Sequence, residues 1–227
     1  METSVVIVGI GETGDLAYQY FLKDSEYEVV GFAVEKDYLT LKTKYGLPVI
    51  DLAQIFNEYP PGQVKIFVTI SYTKLNRIRE RIFEKLLFMG YEFASYISSR
   101  AFVWDTAKIG RNCFILENNV IQHGVAIEDN VILWSGNHIG HQSIIRKSAY
   151  LSSHVVVSGF CEIGARSFLG VNSTIVDGVK IADECLVGAA ACVTKHTIKQ
   201  GIYTGNPAIL RPGISSLRYF RVGSQDD

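Results

Sequence analysis

The sequence lacks the features that mark membrane spans, disulfide-stapled proteins and nucleic-acid binders. In its 227 residues no apolar run approaches the roughly 20 residues that cross a bilayer. Lysine and arginine together number 22 against 23 aspartates and glutamates, so there is no basic surplus for phosphate backbones. The four cysteines are too few for a disulfide framework, and none are spaced as Cys-x-x-Cys. The first residues carry neither a basic region nor a small-residue cleavage site, so no signal peptide is predicted.

What the chain does contain is typical of a folded domain. Hydrophobic residues make up 48% of it and charged residues only 20%, which argues against disorder. Its length suits one large domain or two small ones. We therefore expect a soluble, cytoplasmic, globular protein that binds no nucleic acid and crosses no membrane.

The first 90 residues alternate between strand and helix patterns. Apolar runs predict strands at residues 4–8, 28–34, 48–50 and 65–70, and helices at 15–23, 51–59 and 74–89. The last helix is amphipathic, and Arg79 and Glu80 belong to its charged face. Alternating strands and helices indicate a parallel sheet, so residues 1–92 are predicted to form a small Rossmann-like α/β domain.

A different period begins near residue 97. From Ile97 to Val193 every sixth residue is isoleucine, leucine or valine, without exception. This hexapeptide repeat predicts a parallel β-helix in which three units close one coil. Residues 18 apart then stack about 4.8 Å from each other. We assign residues 93–200 to this β-helix and residues 201–227 to a C-terminal tail that leaves the repeat.

Small residues recur at fixed places in the repeat. A glycine follows the aliphatic position in five units, and we interpret it as the residue that turns the backbone at a corner. The position two before the aliphatic residue is often small, and three of the four cysteines fall there. Cys113, Cys161 and Cys185 are therefore predicted to fill corners rather than to act as nucleophiles or metal ligands.

A glycine-rich turn lies between the first strand and the first helix. Gly9, Gly11 and Gly14, with Glu12 among them, have the spacing and context of a phosphate-binding turn. Glu35 ends the next strand, where a dinucleotide fold would hold a ribose. The α/β part is only half the size of a dinucleotide fold, which favours a nucleotide diphosphate over NAD. A tight turn without a ligand is the alternative.

The loop after the fourth predicted strand reaches the same edge of the sheet. Ser71, Tyr72 and Asn76 offer hydroxyls and an amide there for a nucleotide or a sugar. We therefore include them in the predicted substrate site.

One histidine of the β-helix has special surroundings. His123, His141 and Gly159 follow one another at intervals of 18, so they share a column. Because Gly159 has no side chain, its N–H is predicted to be open to a ligand beside His141. The histidines at 123, 138, 141 and 154 are spaced 15, 3 and 13 apart, which does not match the three-histidine zinc sites of carbonic-anhydrase-like β-helices. No metal is predicted.

A Rossmann-like domain followed by an uninterrupted hexapeptide β-helix resembles the bacterial sugar acyltransferases. The nearest types are the nucleotide-linked amino-sugar N-acetyltransferases of bacillosamine and perosamine synthesis and the sialic-acid O-acetyltransferases. The resemblance covers nearly the whole chain. It is carried by the segments HQSII at 141–145, FLGVNS at 168–173, LVGAAA at 186–191 and GNPA at 205–208.

This resemblance implies a left-handed β-helix that assembles as a homotrimer, with acetyl-CoA in the groove between two neighbouring β-helices. His141 matches the family's catalytic histidine, and Gly159 matches the residue whose N–H meets the thioester oxygen. The glycine-rich turn would hold the nucleotide sugar. Residues implied to line the coenzyme are Gly170, Gly188, Ala189 and Pro207.

The chain departs from the family beside His141. Relatives often carry an acidic residue there to orient the imidazole, whereas the neighbours here are Gly140 and Gln142. His138, Asn137 or a residue of an adjacent subunit are the candidates for the orienting group.

These features predict an acetyl-CoA-dependent N-acetyltransferase that modifies a nucleotide-linked (dTDP, UDP or GDP) amino-deoxy sugar in surface-polysaccharide (O-antigen) biosynthesis. His141 would act as general base and Gly159 N–H as oxyanion donor during direct attack by the amine. A sialic-acid-type O-acetyltransferase, a longer acyl donor and a non-catalytic trimeric scaffold are the alternatives.

Overall fold

A six-stranded sheet forms the N-terminal part of the protein in a computed structural model that describes residues 3–223. Its strands are β1 (Thr3–Val8), β2 (Tyr27–Val34), β3 (Thr43–Lys44), β4 (Leu47–Asp51), β5 (Lys65–Val68) and β6 (Glu92–Phe93). The order is β3-β4-β2-β1-β5-β6, and all pairs are parallel except β3 with β4. The central strand β1 is buried from Val5 to Val8, as its unbroken β-branched run predicts.

Three helices cover this sheet. They are α1 (Glu12–Lys23), α2 (Ile55–Glu58) and α3 (Arg77–Phe88), with short 3-10 turns at Lys36–Tyr38 and Leu52–Gln54. The predicted helix over 51–59 is thus split into two short pieces. Among residues 3–223, no helix combines the length and the apolar character that a membrane crossing needs.

Helix α3 begins three residues later than the sequence predicts. Lys74, Leu75 and Asn76 have φ angles of 52°, 53° and 65°, which are left-handed rather than helical. Such a run of non-glycine residues persists only where the surroundings hold it. Here Leu75 is fully buried, and the Asn76 side-chain amide donates to the carbonyl of Arg166 at 3.1 Å. The β-helix therefore fixes the conformation of this loop.

From Tyr96 the chain winds through three flat faces made of two-residue strands. Face A contains β7 (Tyr96–Ile97), β10 (Phe114–Ile115), β13 (Ile132–Leu133), β16 (Tyr150–Leu151), β19 (Phe168–Leu169) and β22 (Leu186–Val187). Face B contains β8 (Phe102–Val103), β11 (Val120–Ile121), β14 (His138–Ile139), β17 (Val156–Val157), β20 (Thr174–Ile175) and β23 (Cys192–Val193). Face C contains β9 (Lys108–Ile109), β12 (Ala126–Ile127), β15 (Ile144–Ile145), β18 (Glu162–Ile163) and β21 (Lys180–Ile181). Successive strands of a face are parallel and 18 residues apart.

The repeated aliphatic residues fill the interior, and from Ile115 to Val193 each is almost completely buried. Cys113, Cys161 and Cys185 lie in the same core, which confirms that they fill corners. Burial raises the pKa of the Cys113 thiol to about 12, so it stays protonated and unreactive at neutral pH.

The corners turn at a different residue from the predicted one. The left-handed residue lies three positions after the aliphatic one, as at Gln142 and Phe160, both with φ of 57°. The glycines directly after the aliphatic position serve another purpose. A Cβ on Gly140 would lie 2.4 Å from the backbone carbonyl carbon of Ser158. These glycines permit the close approach of successive coils.

The tail remains attached to the β-helix longer than expected. Strand β24 (Ile202–Thr204) pairs in parallel with β22 on face A, and β25 (Ile209–Leu210) returns antiparallel to it. A last helix, α4 (Ser216–Tyr219), follows. Residues 224–227 of the predicted tail lie outside the described residues.

The α/β domain rests on face A, so the helix residue Arg79 is enclosed rather than exposed. Its guanidinium donates to the carbonyls of Ile70, Asn130 and Ser148 at 3.1–3.2 Å, and none of the side chain is accessible. Glu80 is 9% exposed. The charged face of α3 is thus buried at these two residues, because the β-helix covers this side of the helix.

Candidate active site

His141 lies at the corner between faces B and C, two residues after β14. Its backbone N–H donates to Oε1 of Gln122 at 2.9 Å, and its Nδ1 lies 3.3 Å from the same oxygen. The ring of Phe160 meets the imidazole edge-on, with centroids 4.9 Å apart. The imidazole is therefore held from two sides while the side chain remains exposed.

Gly159 lies one coil beyond His141, is buried, and packs closely against the imidazole. A Cβ there would be 2.8 Å from Nε2 of His141 and 2.9 Å from Oδ1 of Asp177. A ring nitrogen and a carboxylate therefore both lie close to Gly159, at a position where only a residue without a side chain fits. Sequence reasoning missed Asp177, although it lies 18 residues after Gly159 in the same column.

The N–H of Gly159 has no acceptor among residues 3–223. The reason is visible one coil earlier, where the equivalent N–H of His141 is capped by the side chain 19 residues before it. The residue 19 before Gly159 is Gly140, which has no side chain to offer. This arrangement leaves a donor for a developing oxyanion next to a ring nitrogen that can act as a base.

The groups proposed to orient His141 are placed elsewhere. Asn137 is buried, and its side chain bonds the carbonyl of Trp134 and the N–H of Val155, so its predicted orienting role is wrong. His138 lies on face B between Val120 and Val156 of the neighbouring strands, and its orienting role stays a prediction. Gln142 turns to His123, with 3.3 Å between Nε2 of each.

The residues predicted to line the coenzyme lie at another corner. Gly170, Gly188 and Ala189 follow the face A strands β19 and β22, at the corner between faces A and B. Pro207 belongs to the segment that runs beside β23, where Ala208 N donates to the carbonyl of Cys192. Within one chain, the full width of face B separates this corner from His141.

Face B itself is largely apolar where it points outward. Phe102 is 53% exposed and Val156 39% exposed, and these two side chains share the face with Val120, His138 and Thr174. An apolar strip of this kind is typical of an interface between subunits.

Two glycines of the glycine-rich turn are closely packed, and the third has open space beside it. A Cβ on Gly9 would lie 2.6 Å from the Thr69 hydroxyl, and one on Gly14 only 2.3 Å from the Gly9 carbonyl oxygen. Gly11, by contrast, has nothing within 4 Å of its Cβ position. Close packing thus accounts for Gly9 and Gly14, whereas only Gly11 leaves room for a ligand. Glu12 is exposed at the first position of α1.

This difference gives a matched pair of variants. We expect Gly14→Ala to lower the thermal unfolding midpoint by several degrees, because the new methyl group overlaps a backbone carbonyl at the base of α1. Gly11→Ala has open space and a φ of −76°, so its midpoint should stay within about a degree of the parent. Differential scanning calorimetry measures both, and equal midpoints for the two variants would contradict the packing argument.

A cation beside the turn was not singled out from the sequence. Lys44 donates to the carbonyl of Ile10 at 3.0 Å and pairs with Asp15 at 2.6 Å. The hairpin of β3 and β4 carries this lysine, and no sequence motif links it to the turn. Its ammonium group lies beside the turn where a phosphate is predicted, paired with a carboxylate.

The other predicted substrate residues have diverse surroundings. Glu35 forms two 2.9 Å hydrogen bonds with Arg81, which hold the pKa of the Glu35 carboxyl below its usual range. Tyr72 packs against Tyr150 and Phe168 and remains 42% exposed. Ser71 precedes it at the partly exposed start of the loop.

Asn76 needs correction. The residue directly precedes α3, and its side chain is completely buried against the β-helix. It therefore cannot face a ligand in this arrangement. We assign it to the loop that joins the two parts of the chain. No cluster of three or more histidine, cysteine, aspartate or glutamate side chains in the described part of the chain could hold a metal ion.

Comparisons with known sequences agree with the β-helix. The family model for the GMPPB C-terminal domain matches residues 92–207, just over half of the chain. UDP-3-O-acylglucosamine N-acyltransferase of Delftia acidovorans is 32% identical over 107 residues, which are 45% of this chain and 30% of that protein. The acyl-(acyl-carrier-protein)–UDP-N-acetylglucosamine O-acyltransferase of Sinorhizobium fredii is 25% identical over 125 residues, 52% of this chain and 46% of that protein. The chain spans less than half the length of these relatives.

Solved structures match over nearly the whole chain. The acetyltransferase domain of PglB from Neisseria gonorrhoeae, in complex with acetyl coenzyme A, has a TM-score of 0.83 at 23% identity and covers 93% of this chain and 100% of its own. PerB from Caulobacter crescentus, in complex with CoA and GDP-perosamine, has a TM-score of 0.81 at 23% identity and covers 93% and 98%. The predicted fold class, a Rossmann-like domain followed by a left-handed hexapeptide β-helix, is confirmed.

Proposed function

Because the chain belongs to the hexapeptide β-helix family of the GMPPB C-terminal domain, in the form built by bacterial sugar acyltransferases, we propose that it transfers an acetyl group from acetyl-CoA to the amine of a nucleotide-linked amino sugar. The single observation that carries this proposal is the close packing of Nε2 of His141 against Gly159, whose N–H has no acceptor among residues 3–223. A scaffold would need neither group.

In the proposed reaction the sugar amine attacks the thioester carbonyl carbon directly. Nε2 of His141 accepts the proton that the amine loses as the carbon–nitrogen bond forms. The N–H of Gly159 donates to the carbonyl oxygen as it becomes negative. The carbon–sulfur bond then breaks, the imidazolium returns its proton to the sulfur, and the products are an amide and free coenzyme A. Since the nearby Cys161 thiol is buried, no covalent enzyme intermediate is invoked.

The same proposal implies an assembly. His141 and the glycines at 170 and 188 lie at opposite edges of face B, so one extended coenzyme reaches both only if two copies of the chain supply them. Closed threefold packing of face B against itself would put one copy's histidine corner beside the next copy's glycine corner. The exposed apolar side chains of Phe102 and Val156 fit such packing.

We expect Val156→Glu to dissociate this assembly, because three buried, like-charged carboxylates would meet near the threefold axis. Light scattering should report a mass near 76 kDa, three times the 25.2 kDa chain, for the parent and a single chain for the variant. Lys108→Glu on the outward side of face C is the matched control and should leave the mass unchanged. A parent protein that is monomeric at micromolar concentration contradicts the proposal.

The reaction itself is tested by incubating the protein with acetyl-CoA and a panel of dTDP-, UDP- and GDP-linked amino sugars. Release of the coenzyme A thiol and the product mass are followed together. The expected product is heavier by one acetyl group and resistant to hydroxylamine, as an amide is. A hydroxylamine-sensitive ester would identify an O-acetyltransferase instead, and no transfer to any member of the panel would contradict the proposed activity.

A further inference from the structure

The side chain of Gln122 holds the imidazole of His141, and its orientation is fixed by the backbone. The N–H of His141 can only donate, so the Gln122 atom 2.9 Å from it is the carbonyl oxygen and not the amide nitrogen. The assignment of Oε1 therefore does not depend on which way round the amide is placed.

The same oxygen decides which ring nitrogen carries the proton. Oε1 has lone pairs but no hydrogen, and it lies 3.3 Å from Nδ1 of His141. A favourable contact requires Nδ1 to be the donor, so in the neutral ring Nε2 keeps its lone pair. Nε2 is the ring nitrogen that lies close to Gly159.

We propose that Gln122 is the positioning residue of the active site, and that it selects the Nδ1–H tautomer of His141 through a neutral amide where a carboxylate would serve in relatives. This inference rests on the proposed function. Gln122 lies outside the motif around residue 141 and is not one of the candidates predicted from the sequence, His138 and Asn137.

Gln122 is well anchored for this task. It follows the buried strand β11, and its own N–H donates to the carbonyl of Ile139 at 3.0 Å, two residues before His141. The Gln122 side chain thus reaches from its own coil to the next one. Because the backbone is held by this hydrogen bond, the spacing of the coils determines how far the amide extends and where it points.

A purely structural role is the competing explanation. At another corner Glu128 caps the N–H of Lys147, also 19 residues later, and no imidazole is involved. Gln122 could likewise do no more than cap the backbone N–H of His141. The test must therefore include a readout that depends on the imidazole and not only on the cap.

The charged and titratable groups around the imidazole are few. Asp177 faces it across Gly159, His123 lies one coil before it in the column, and His138 precedes it on β14. Gln122 and Phe160, which touch it directly, are neutral. A carboxylate introduced at position 122 would be the first charge in direct contact with Nδ1.

Two substitutions separate the roles. Gln122→Met removes the acceptor at similar size, and we expect kcat to fall about tenfold or more with the KM for acetyl-CoA within about twofold of the parent. Gln122→Glu keeps the acceptor and adds charge. Its kcat at the optimum should stay within about threefold of the parent, while the acidic limb of the pH–rate profile moves up by about one pH unit, because the carboxylate stabilises the imidazolium.

Gln142→Met is the matched control, since it makes the same change in a side chain that contacts His123 instead. It should leave kcat and the profile unchanged. Parent-like turnover of Gln122→Met overturns the inference. So does rescue by Gln122→Glu without any displacement of the acidic limb, because a simple cap would behave in that way.

A second measurement does not need substrate. Nitrogen-15 NMR of histidine-labelled protein, with the His141 signals identified by their loss in His141→Gln, reports the neutral tautomer directly. We expect the proton on Nδ1 in the parent and a shift toward Nε2–H in Gln122→Met; a dominant Nε2–H form in the parent overturns the inference. Failure of acetyl transfer with an Nδ1–H ring would instead count against the proposed function alone.

Discussion

Replacing His141 with alanine should lower kcat by about 10²- to 10⁴-fold, the range that a positioned general base contributes. The KM values for both substrates should change little, because the imidazole acts on the proton that is lost during the reaction rather than on the bound ground state. The side chain is exposed at a corner, so its removal opens no cavity in the core. Steady-state kinetics with a nucleotide amino sugar from the panel measure the effect.

His123→Ala is the matched control for this experiment. His123 occupies the same column one coil earlier, and its two ring nitrogens lie 3.4 Å from the Thr106 hydroxyl and 3.3 Å from the Gln142 amide nitrogen. Its loss should leave kcat within about twofold of the parent. If His141→Ala also keeps near-normal turnover in an intact assembly, the assignment of the base is wrong.

Replacing Arg79 with leucine should destabilise the protein by about 3 kcal/mol or more. The guanidinium is fully buried and donates to carbonyls of both the loop after β5 and two corners of the β-helix. Leucine would leave those acceptors without donors in a buried interface, at roughly 1–3 kcal/mol for each unsatisfied group. Burial lowers the pKa of Arg79 to about 10, so the group is still charged at neutral pH and the bonds are charge-assisted.

Urea unfolding measures this loss, and limited proteolysis locates it. Cleavage near residue 94, between the sheet and the first coil, should become faster in Arg79→Leu, because the α/β domain is released from face A. Lys85→Leu changes an exposed cation on the same helix and should alter stability by less than about 0.5 kcal/mol. Equal effects of the two substitutions would show that the buried guanidinium does not hold the two parts together.

The sequence predicted the β-helix because its physical cause is a strict period. Every sixth residue places an aliphatic side chain in the interior, and the strand pairing 18 residues apart follows directly. The column of His141 and Gly159 could be predicted for the same reason. The sequence did not fully explain why the N–H of Gly159 has no acceptor. One coil earlier the corresponding N–H is capped by the Gln122 side chain, whereas the residue in the same place before Gly159 is Gly140, which has none.

Gln122 was missed although a signal for it exists. At two corners the residue 19 before a backbone N–H caps it, and at two others the residue 18 after does, so a search one coil away in both directions would have found Gln122. The orienting group was predicted among neighbours along the chain or in an adjacent subunit. In a β-helix the closest side chains are one coil away rather than one residue away.

Helix α3 departs from its sequence pattern because it contacts the β-helix, and the local sequence does not reveal those contacts. Lys74 to Asn76 have helix-compatible spacing, yet their left-handed conformation is imposed by the docked β-helix. Arg79 belongs to the charged face of an amphipathic helix, and charge on such a face usually means solvent. Only the position of a second folded unit on that face makes the residue buried.

The coil geometry also limits how this architecture can vary. Six residues inserted between Gly170 and Gly188 would rotate everything that follows by one face, so the two glycines would no longer share a corner. Eighteen inserted residues would restore every face and lengthen the column by about 4.8 Å. The length of the column can therefore change without disturbing its faces only in whole-coil steps.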